Sequence, residues 1–342
     1  MSDRTQSLAT PTLDEVARVA GVSRATASRA INGGNRVSAT AQAAVDAAVK
    51  SLGYMPNRAA RSLVTRRTES IGLIVPEPDD LVFSDPFFVH TVRAVNRVLA
   101  PRDRQLVLLL AKPGEEEQRT VRYLSGRHLD GVIVASHHQR DHFADHVAEL
   151  GLPSTFIGRP WTGAERIPYV DTDNVAGVRV ATELLIERGC RRIATITGPR
   201  DMTAGVDRFE GWRQAMRAAG LADDLAVAGG FTEFGGAAAA RQLLDRSPEL
   251  DGLVVASDLM AKGALRVLQD AGRSVPGDVA VVGYDDLGVA EQLDPQLTTV
   301  ANPIDEMAEQ AARMLLDQID AARTARPLRL IFPPTLIRRE SA

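Results

Sequence analysis

From Ile71 onward, short apolar runs alternate with amphipathic stretches, and few architectures tolerate that alternation. The runs are IGLIV from Ile71, QLVLLL from Gln105, GVIVA from Gly131 and STFIG from Ser154. Between them lie helical patterns at about Phe87 to Leu99, Glu115 to Ser125 and Asp141 to Leu150. Strands that are apolar throughout and separated by helices predict right-handed βαβ units and a parallel sheet covered on both faces. A second series follows Pro168, with runs RRIATI from Arg191, DGLVVA from Asp251 and DVAVVGY from Asp278. Its helical patterns fall at about Asn174 to Arg188, Arg208 to Ala219, Gly235 to Leu244 and Asp258 to Ala271. The expected body is therefore two similar α/β lobes. A last helix near Ile304 to Ile319 and the extended run LRLIFPPTLIRRE are expected to cross back between them. That places the first lobe at about 70–167 plus 302–322, and the second at about 168–301 plus 323–342.

The segment ahead of this body has a different period. Leu13, Val16, Ala17 and Ala20 form one helical face, Gly21-Val22 interrupts it, and Ser23 caps a second helix. Ala27, Ala30 and Ile31 can pack back on the first helix, which leaves Arg24, Ala25, Ser28, Arg29 and Asn32 outside. Two short helices joined by a glycine turn suit a helix-turn-helix, whose second helix enters the DNA major groove. Arg24 and Arg29 offer donor forks to guanine, Ser23, Thr26, Ser28 and Asn32 suit phosphates and base edges, and Ala25 suits a thymine methyl. A solvated arginine-bearing helix in any small bundle would show the same pattern. Ser38 caps a third helix ending at Gly53, and Asn57 can cap a fourth segment, RAARSLV, with Arg58, Ala60, Arg61 and a protruding Leu63. Seven residues are too few for a stable isolated helix, so this segment should order only against a partner. The chain divides into a disordered tail (1–11), a headpiece (12–56), a hinge and linker (57–69) and the core (70–342).

The charge divides the same way. Residues 1–67 hold 10 basic and 4 acidic side chains, net +6, while the remainder holds 30 and 40, net −10. A basic head on an acidic body fits a protein that meets phosphates at one end only. Cys190 is the single cysteine, which rules out an intrachain disulfide and suits a reducing compartment. The first eleven residues lack a hydrophobic core segment and no long apolar run follows, so a cytoplasmic location is expected.

Ligands in open α/β sheets bind beyond the carboxyl ends of the strands, and two facing lobes make a cleft. The candidates are Ser84, Asp85, Phe87 and Phe88 before the first helix, Ser136, Arg159, Arg208, Ser257 with Asp258, and Asp285, with Asn302 beside them. Phe231, after Gly229-Gly230 in a loop, joins them as an aromatic wall. One of Phe87 and Phe88 is expected in the lobe core. Asp286 is read as a cap, and Asp171 and Asp173 are read as caps of the helix from Asn174. His138, His142 and His146, spaced i, i+4, i+8 with His137 adjoining, raise a metal reading, but the HExxH glutamate is missing and no metal or other cofactor is expected. No GxSxG elbow, Walker A loop, GxGxxG after a strand or CxxC pair is present, so no enzyme is expected.

These stretches carry a resemblance. TLDEVARVAGVSRATASRAIN, the VS at Val37-Ser38 and LGYMPNRAARSL resemble the headpiece and hinge of the LacI/GalR family of bacterial transcription regulators. SDPFF, VDTDNVAGV, RRIATITGP, the RFEGW box, ASDLMAKGAL, VAVVGYDD and LTTV are similar to its regulatory core, so the likeness spans nearly the whole chain. It implies an all-α headpiece on a two-lobed core with parallel sheets, of the periplasmic-binding-protein kind. It also implies DNA contacts from Thr12, Leu13, Ser38, Asn57, Arg58 and Ala60 beside the recognition helix, with Arg24, Ala25 and Arg29 reading bases. Leu63 is then the hinge leucine that wedges into the minor groove. Ala25 replaces a larger polar residue often found there. In sugar-binding members an arginine at the position of Arg208 and an aspartate at that of Asp285 bind hydroxyls, and an aromatic at that of Phe231 packs on the ligand. Ser257 stands where an asparagine is frequent, which weakens any transfer of sugar identity. The resulting expectation is a repressor of a palindromic operator, a homodimer or tetramer, controlled by a sugar. A purine-type corepressor stacked on Phe231, or a sugar-binding protein without a DNA role, is the alternative.

Overall fold

The computed structural model describes residues 11–32, 37–55, 67–320 and 329–342. Two compact units separate at Thr68–Glu69. The first is the headpiece, with helices α1 (Leu13–Ala20), α2 (Arg24–Ile31) and α3 (Ala39–Leu52). Thr12 opens α1 with a capping box, its side chain accepting from the Glu15 amide while Glu15 reaches back to the Thr12 amide at 2.8 Å. Gly21, at φ 67°, makes the left-handed turn that lets α2 start three residues later. Val16, Ala17, Ala27, Ala30, Val45 and Ala48 form the small core where the three helices meet.

The second unit contains both lobes. Its first sheet has strands β1 (Ser70–Val75), β2 (Gln105–Leu110), β3 (Gly131–Ala135), β4 (Ser154–Ile157), β5 (Tyr169–Thr172) and β11 (Arg329–Phe332), in the order β2-β1-β3-β4-β5-β11. The second sheet has β6 (Ile193–Thr197), β7 (Ala226–Ala228), β8 (Gly252–Val255), β9 (Ala280–Asp285), β10 (Thr298–Ala301) and β12 (Thr335–Ile337), in the order β7-β6-β8-β9-β10-β12. The two orders are the same, and every pairing is parallel except β10 with β12.

Both faces of each sheet are buried, as continuous apolar strands require. In β1, Ile71, Leu73 and Val75 turn to one face and Ile74 to the other. Helices α5 (Pro86–Leu99) and α12 (Ile304–Ile319) cover the first of these faces, and α6 (Glu115–Ser125) and α7 (Phe143–Glu149) the second. A short helix, α4 (Asp79–Ser84), precedes α5. On the other sheet, α8 (Asn174–Glu187) and α9 (Thr203–Ala218) lie over one face, and α10 (Glu233–Arg246) and α11 (Asp258–Asp270) over the opposite one.

The lobe boundary differs from the sequence expectation. Tyr169–Thr172, expected in the second lobe, is the fifth strand of the first sheet, and Arg329–Phe332 pairs with it in parallel. Among the described residues, only β12 of the expected second-lobe tail lies in the second sheet. A strand followed by a helix reads locally as the start of the next βα unit, and which sheet accepts it is settled by its hydrogen-bond partner. The chain thus crosses between lobes three times, after Thr172, after Ala301 and after Phe332. Three adjacent crossings form a hinge about which the lobes can close.

Close helix packing beside that hinge depends on glycine. A Cβ on Gly211 would sit 2.3 Å from the Val175 carbonyl oxygen, so α8 and α9 touch there backbone to backbone. Gly211→Ala must part these helices and is expected to lower the unfolding free energy by about 1–3 kcal/mol, read from the urea midpoint. An unchanged midpoint would contradict this contact.

Candidate functional site

Two sites follow from these elements. On the headpiece, Ser23, Arg24, Ala25, Arg29 and Asn32 are exposed and Thr26 and Ser28 half-buried, so α2 presents a polar, basic face. Part of that face is held by its own backbone. Ser23 caps the helix through the Thr26 amide at 3.1 Å, Arg29 Nε donates to the Ala25 carbonyl at 3.1 Å, and the Asn32 amide donates to the Ser28 carbonyl at 2.8 Å. Arg24 pairs loosely with Asp14 at 3.3 Å in full solvent, an ion pair of small energy that a phosphate or base edge can replace. Asn57, Arg58, Ala60 and Leu63 lie outside the described residues.

In the core, the carboxyl ends of both sheets face one cleft of about 760 Å³, part of it open to solvent. Its floor is built around Arg208, in α9, which is only 6% exposed. Its Nε donates to Asn174 Oδ1 at 2.8 Å, Nη1 donates to the Ala256 carbonyl at 2.6 Å, and Nη1 also reaches Asp285 Oδ1 at 3.4 Å. The guanidinium carbon stacks 3.7 Å over the Tyr284 ring and lies 5.7 Å from the centre of Phe231. Asn302 donates to the same Asp285 oxygen at 3.2 Å. Burial pushes the Asp285 carboxyl above its ordinary range, while Arg208 and Asn302 pull it back.

Backbone strain gathers around the cleft. Ser136 (φ 56°), Phe231 (φ 57°) and Asp285 (φ 116°) line it in left-handed conformations that side chains rarely adopt. Asp258 supports the last of these from beneath. Its carboxylate accepts from Thr299 Oγ1 at 2.7 Å and from the Asp286 amide at 2.8 Å, which holds the turn that presents Asp285.

The walls combine acids with aromatic rings. Asp85 caps α5 through the Phe87 amide at 2.9 Å, and burial, reinforced by the charge of Asp285, pushes it up to about 7. Asp171 accepts from the Arg159 and Thr172 amides and from Asn174, and burial raises it to about 6. His137 is buried, which holds it down to about 4, so its neutral ring donates from Nε2 to the Arg159 carbonyl at 3.0 Å. Its Nδ1 is buried without a partner and is left to accept a hydrogen bond in the cavity wall.

Comparison with known proteins identifies the family. Residues 12–57 match the bacterial regulatory proteins, lacI family, and residues 182–342 match the periplasmic binding protein-like domain. Over 334 residues the chain is 48% identical to the HTH-type transcriptional regulator CelR of Thermobifida fusca, covering 97% of this chain and 98% of that protein. The chain belongs to the lacI family. The structure of a transcriptional regulator CelR–cellobiose complex superposes with a TM-score of 0.78 at 46% identity, covering 97% of this chain and 100% of that one. The lac repressor dimer bound to operator and the anti-inducer ONPF superposes with a TM-score of 0.86 at 25% identity, covering 97% and 99%. This lacI-family protein is a helix-turn-helix transcriptional regulator with an effector-binding core.

Within the regulator, the sequence candidates sort by where the fold puts them. Phe87, Phe88, Ser136, Arg208, Phe231, Ser257, Asp285 and Asn302 line the cavity. Phe88 also belongs to the first lobe's core, with Phe87 edge-on to it at 5.1 Å, so the two share both tasks. Three candidates are elsewhere. Arg159 points to Asp207, with bonds of 2.6 and 2.8 Å across the lobes, Asp258 lies beneath the floor, and Ser84 donates to the Asp80 carbonyl at 2.6 Å on the outer side of α4. Asp286 pairs with Arg339 at 2.8 Å, and Asp173 caps α8. Glu77, His137, Asp171, Asn174 and Thr203 line the cavity without having been singled out as ligand groups. Glu77 lies two residues beyond β1, where the strand-end rule applies to it as well, but no motif marks it in the sequence.

The histidines do not form a helical ladder. The helix begins only at Phe143, with His142 left-handed ahead of it at φ 51°, so His138, His142 and His146 share no face. No group of three or more such side chains placed to hold a metal ion occurs among the described residues. His138 joins the lobes instead. Its Nε2 meets Glu77 at 3.0 Å in the first lobe, and its Nδ1 meets Asp201 at 3.1 Å in the second. The Gln139 amide donates to the Asp201 carbonyl at 2.7 Å, and Thr203 Oγ1 donates to the Arg159 carbonyl at 2.7 Å beside it.

Burial opposes the charge on His138, but the hydrogen bonds and charges of Glu77 and Asp201 outweigh it and raise the ring to about 9. Asp141, accepting from the His138 amide, and Arg140, on Asp201 at 3.4 Å, complete its surroundings. A raised pKa means stability present below the ordinary value of 6.5 and lost as pH climbs through about 9. The wild type should lose on the order of 1–3 kcal/mol more than His138→Gln between pH 6.5 and 9, measured by urea unfolding. Parallel pH curves for the two proteins would show that the ring is not charged between its two acids.

Proposed function

We propose that this regulator is a cytoplasmic, dimeric repressor whose hold on a palindromic operator is governed by a neutral sugar. The sugar reading goes further, to a β-linked glucose disaccharide of the cellobiose kind, held between the lobes. One observation carries it. Arg208 Nη2 and Asp285 Oδ2 make no hydrogen bond among the described residues, while the rest of both groups is tied down. A fixed donor stands beside a fixed acceptor, which is what two adjacent ring hydroxyls require. Asp85, Asp171 and Glu77 surround them, so an anionic ligand such as a sugar phosphate would meet repulsion, whereas hydroxyls find acceptors. Phe87, Phe88 and Phe231 supply the apolar surface that a pyranose face needs. The likeness to a transcriptional regulator CelR–cellobiose complex supports the same choice. Binding is the use proposed for this cavity, with no catalytic step.

The mechanism proposed is a change of lobe closure. A ligand that bridges Arg208 and Asp285 below to Asp85 and Glu77 above favours one separation of the lobes. It can shift the operator-binding equilibrium only by its difference in affinity for the two arrangements. In the headpiece, the face of α2 is assigned to the major groove, and Asn57, Arg58, Ala60 and Leu63 to the hinge contacts. With an operator duplex recovered by selection, cellobiose is expected to change the operator Kd of the wild type at least tenfold. Arg208→Met should bind the duplex normally and ignore the sugar in fluorescence anisotropy, and a full response from that variant would move the effector elsewhere. Arg29→Ala should cost about 1–3 kcal/mol on the operator and relax base preference at one position. An equal loss on random-sequence DNA would reassign Arg29 to a phosphate.

A further inference from the structure

We propose that the cleft continues past Phe231 into an outer subsite that takes a third pyranose ring, so that the regulator binds linear β-linked oligosaccharides longer than a disaccharide. This rests on the sugar reading above and extends it. The groove in question has a volume of about 720 Å³, open to solvent, and both lobes wall it. Pro78, Asp80, Leu81 and Ser84 of the α4 region form one side, and Pro199 with Gly230 to Thr232 forms the other. It is continuous with the inner cavity because Glu77, Leu81 and Phe231 line both.

The junction is built for a chain to pass. Phe231 is held in its left-handed conformation with its ring on Gly198, where an added Cβ would come within 2.2 Å of the ring. The ring is therefore a fixed wall at the boundary and not a free lid. Glu77 is 5% exposed, and its Oε1 accepts from Ser136 Oγ at 2.6 Å and is bonded to His138 Nε2 at 3.0 Å. No hydrogen bond to its Oε2 occurs among the described residues, which leaves an acceptor at the point where two sugar units would join. Further out, Asp80, Ser84 and Thr232 offer oxygen atoms, while Pro78, Leu81 and Pro199 offer apolar faces. That combination of hydroxyl acceptors and flat apolar surface is the one that recognises a pyranose. Two carboxylates against a single imidazolium again exclude a phosphorylated ligand.

The phenylalanines support this placement. Of nine in the chain, only Phe83 (73%) and Phe234 (81%) are exposed; Phe83 lies in α4, which walls the groove, and Phe234 follows two residues after Thr232, which lines it. Exposed aromatic rings next in the chain to residues that wall a cleft are platforms for a ligand that extends out of it.

Isothermal titration of the full chain with cellobiose and with its β-1,4-linked trimer tests the proposal. The trimer is expected to bind at least tenfold tighter than the dimer. The double variant Asp80→Ala, Phe234→Ala, both exposed positions, should lose that gain while binding cellobiose as the wild type does. A trimer that binds no tighter than the dimer would overturn the outer subsite and leave the disaccharide reading standing. So would a gain that survives in the double variant. Binding of neither sugar would overturn both readings together.

Discussion

A guanidinium almost sealed from water cannot be left unpaired, and the arrangement around Arg208 is the constraint on which this core depends. Its partners come from three places. Asn174 is two residues past β5, just after the chain first enters the second lobe, the Ala256 carbonyl follows β8, and Asp285 ends β9. Tyr284 stacks beneath them. Strand ends remote in sequence are thus drawn to one buried cation at the hinge, and the positive φ of Asp285 is the strain accepted to bring its carboxylate there. Asp258 holds that turn from below, so it serves the site without touching the cavity.

Above this floor the charge balance reverses. Asp85, Asp171 and Asp285 all have carboxyls raised by burial, which means the cavity disfavours their charge until donors reach them. A polyhydroxylated neutral ligand brings such donors without adding charge. The lobes also hold one another through Arg159 with Asp207 and through His138 between Glu77 and Asp201. Because Glu77 belongs both to this latch and to the cavity wall, ligand contact and lobe closure share one side chain. That sharing gives a physical route from an occupied cleft to a changed lobe arrangement.

Much of this was legible in the chain. The first-sheet strands from Gln105 and Gly131, the helix Glu115–Ser125 and the helix Ile304–Ile319 start where the periodicity put them. Local signals sufficed because each such run is apolar on both faces or on one stripe; in the headpiece, Ser38 and Gly53 mark the ends of α3 as well. Arg208, Phe231 and Asp285 were legible as cavity residues from motif and strand-end position. Arg159 obeyed the same rule and yet turned to Asp207, since a flexible cation follows the nearest carboxylate and that carboxylate is 48 residues away. Tyr169–Thr172 was misplaced because four residues of strand carry no mark of the sheet that will receive them.

What the sequence by itself determined is the set of elements and their order: a helix-turn-helix with a basic outer face, then two rounds of strand and helix, each with apolar faces that must be covered. Those follow from local period, capping and hydrophobicity, which neighbouring residues decide among themselves. Only the tertiary structure decided that the chain passes three times between lobes, that His138 lies between acids of opposite lobes, and that Glu77 stands where the two hollows meet. Such facts depend on hydrogen bonds and charges between residues far apart along the chain, and no short stretch contains both partners.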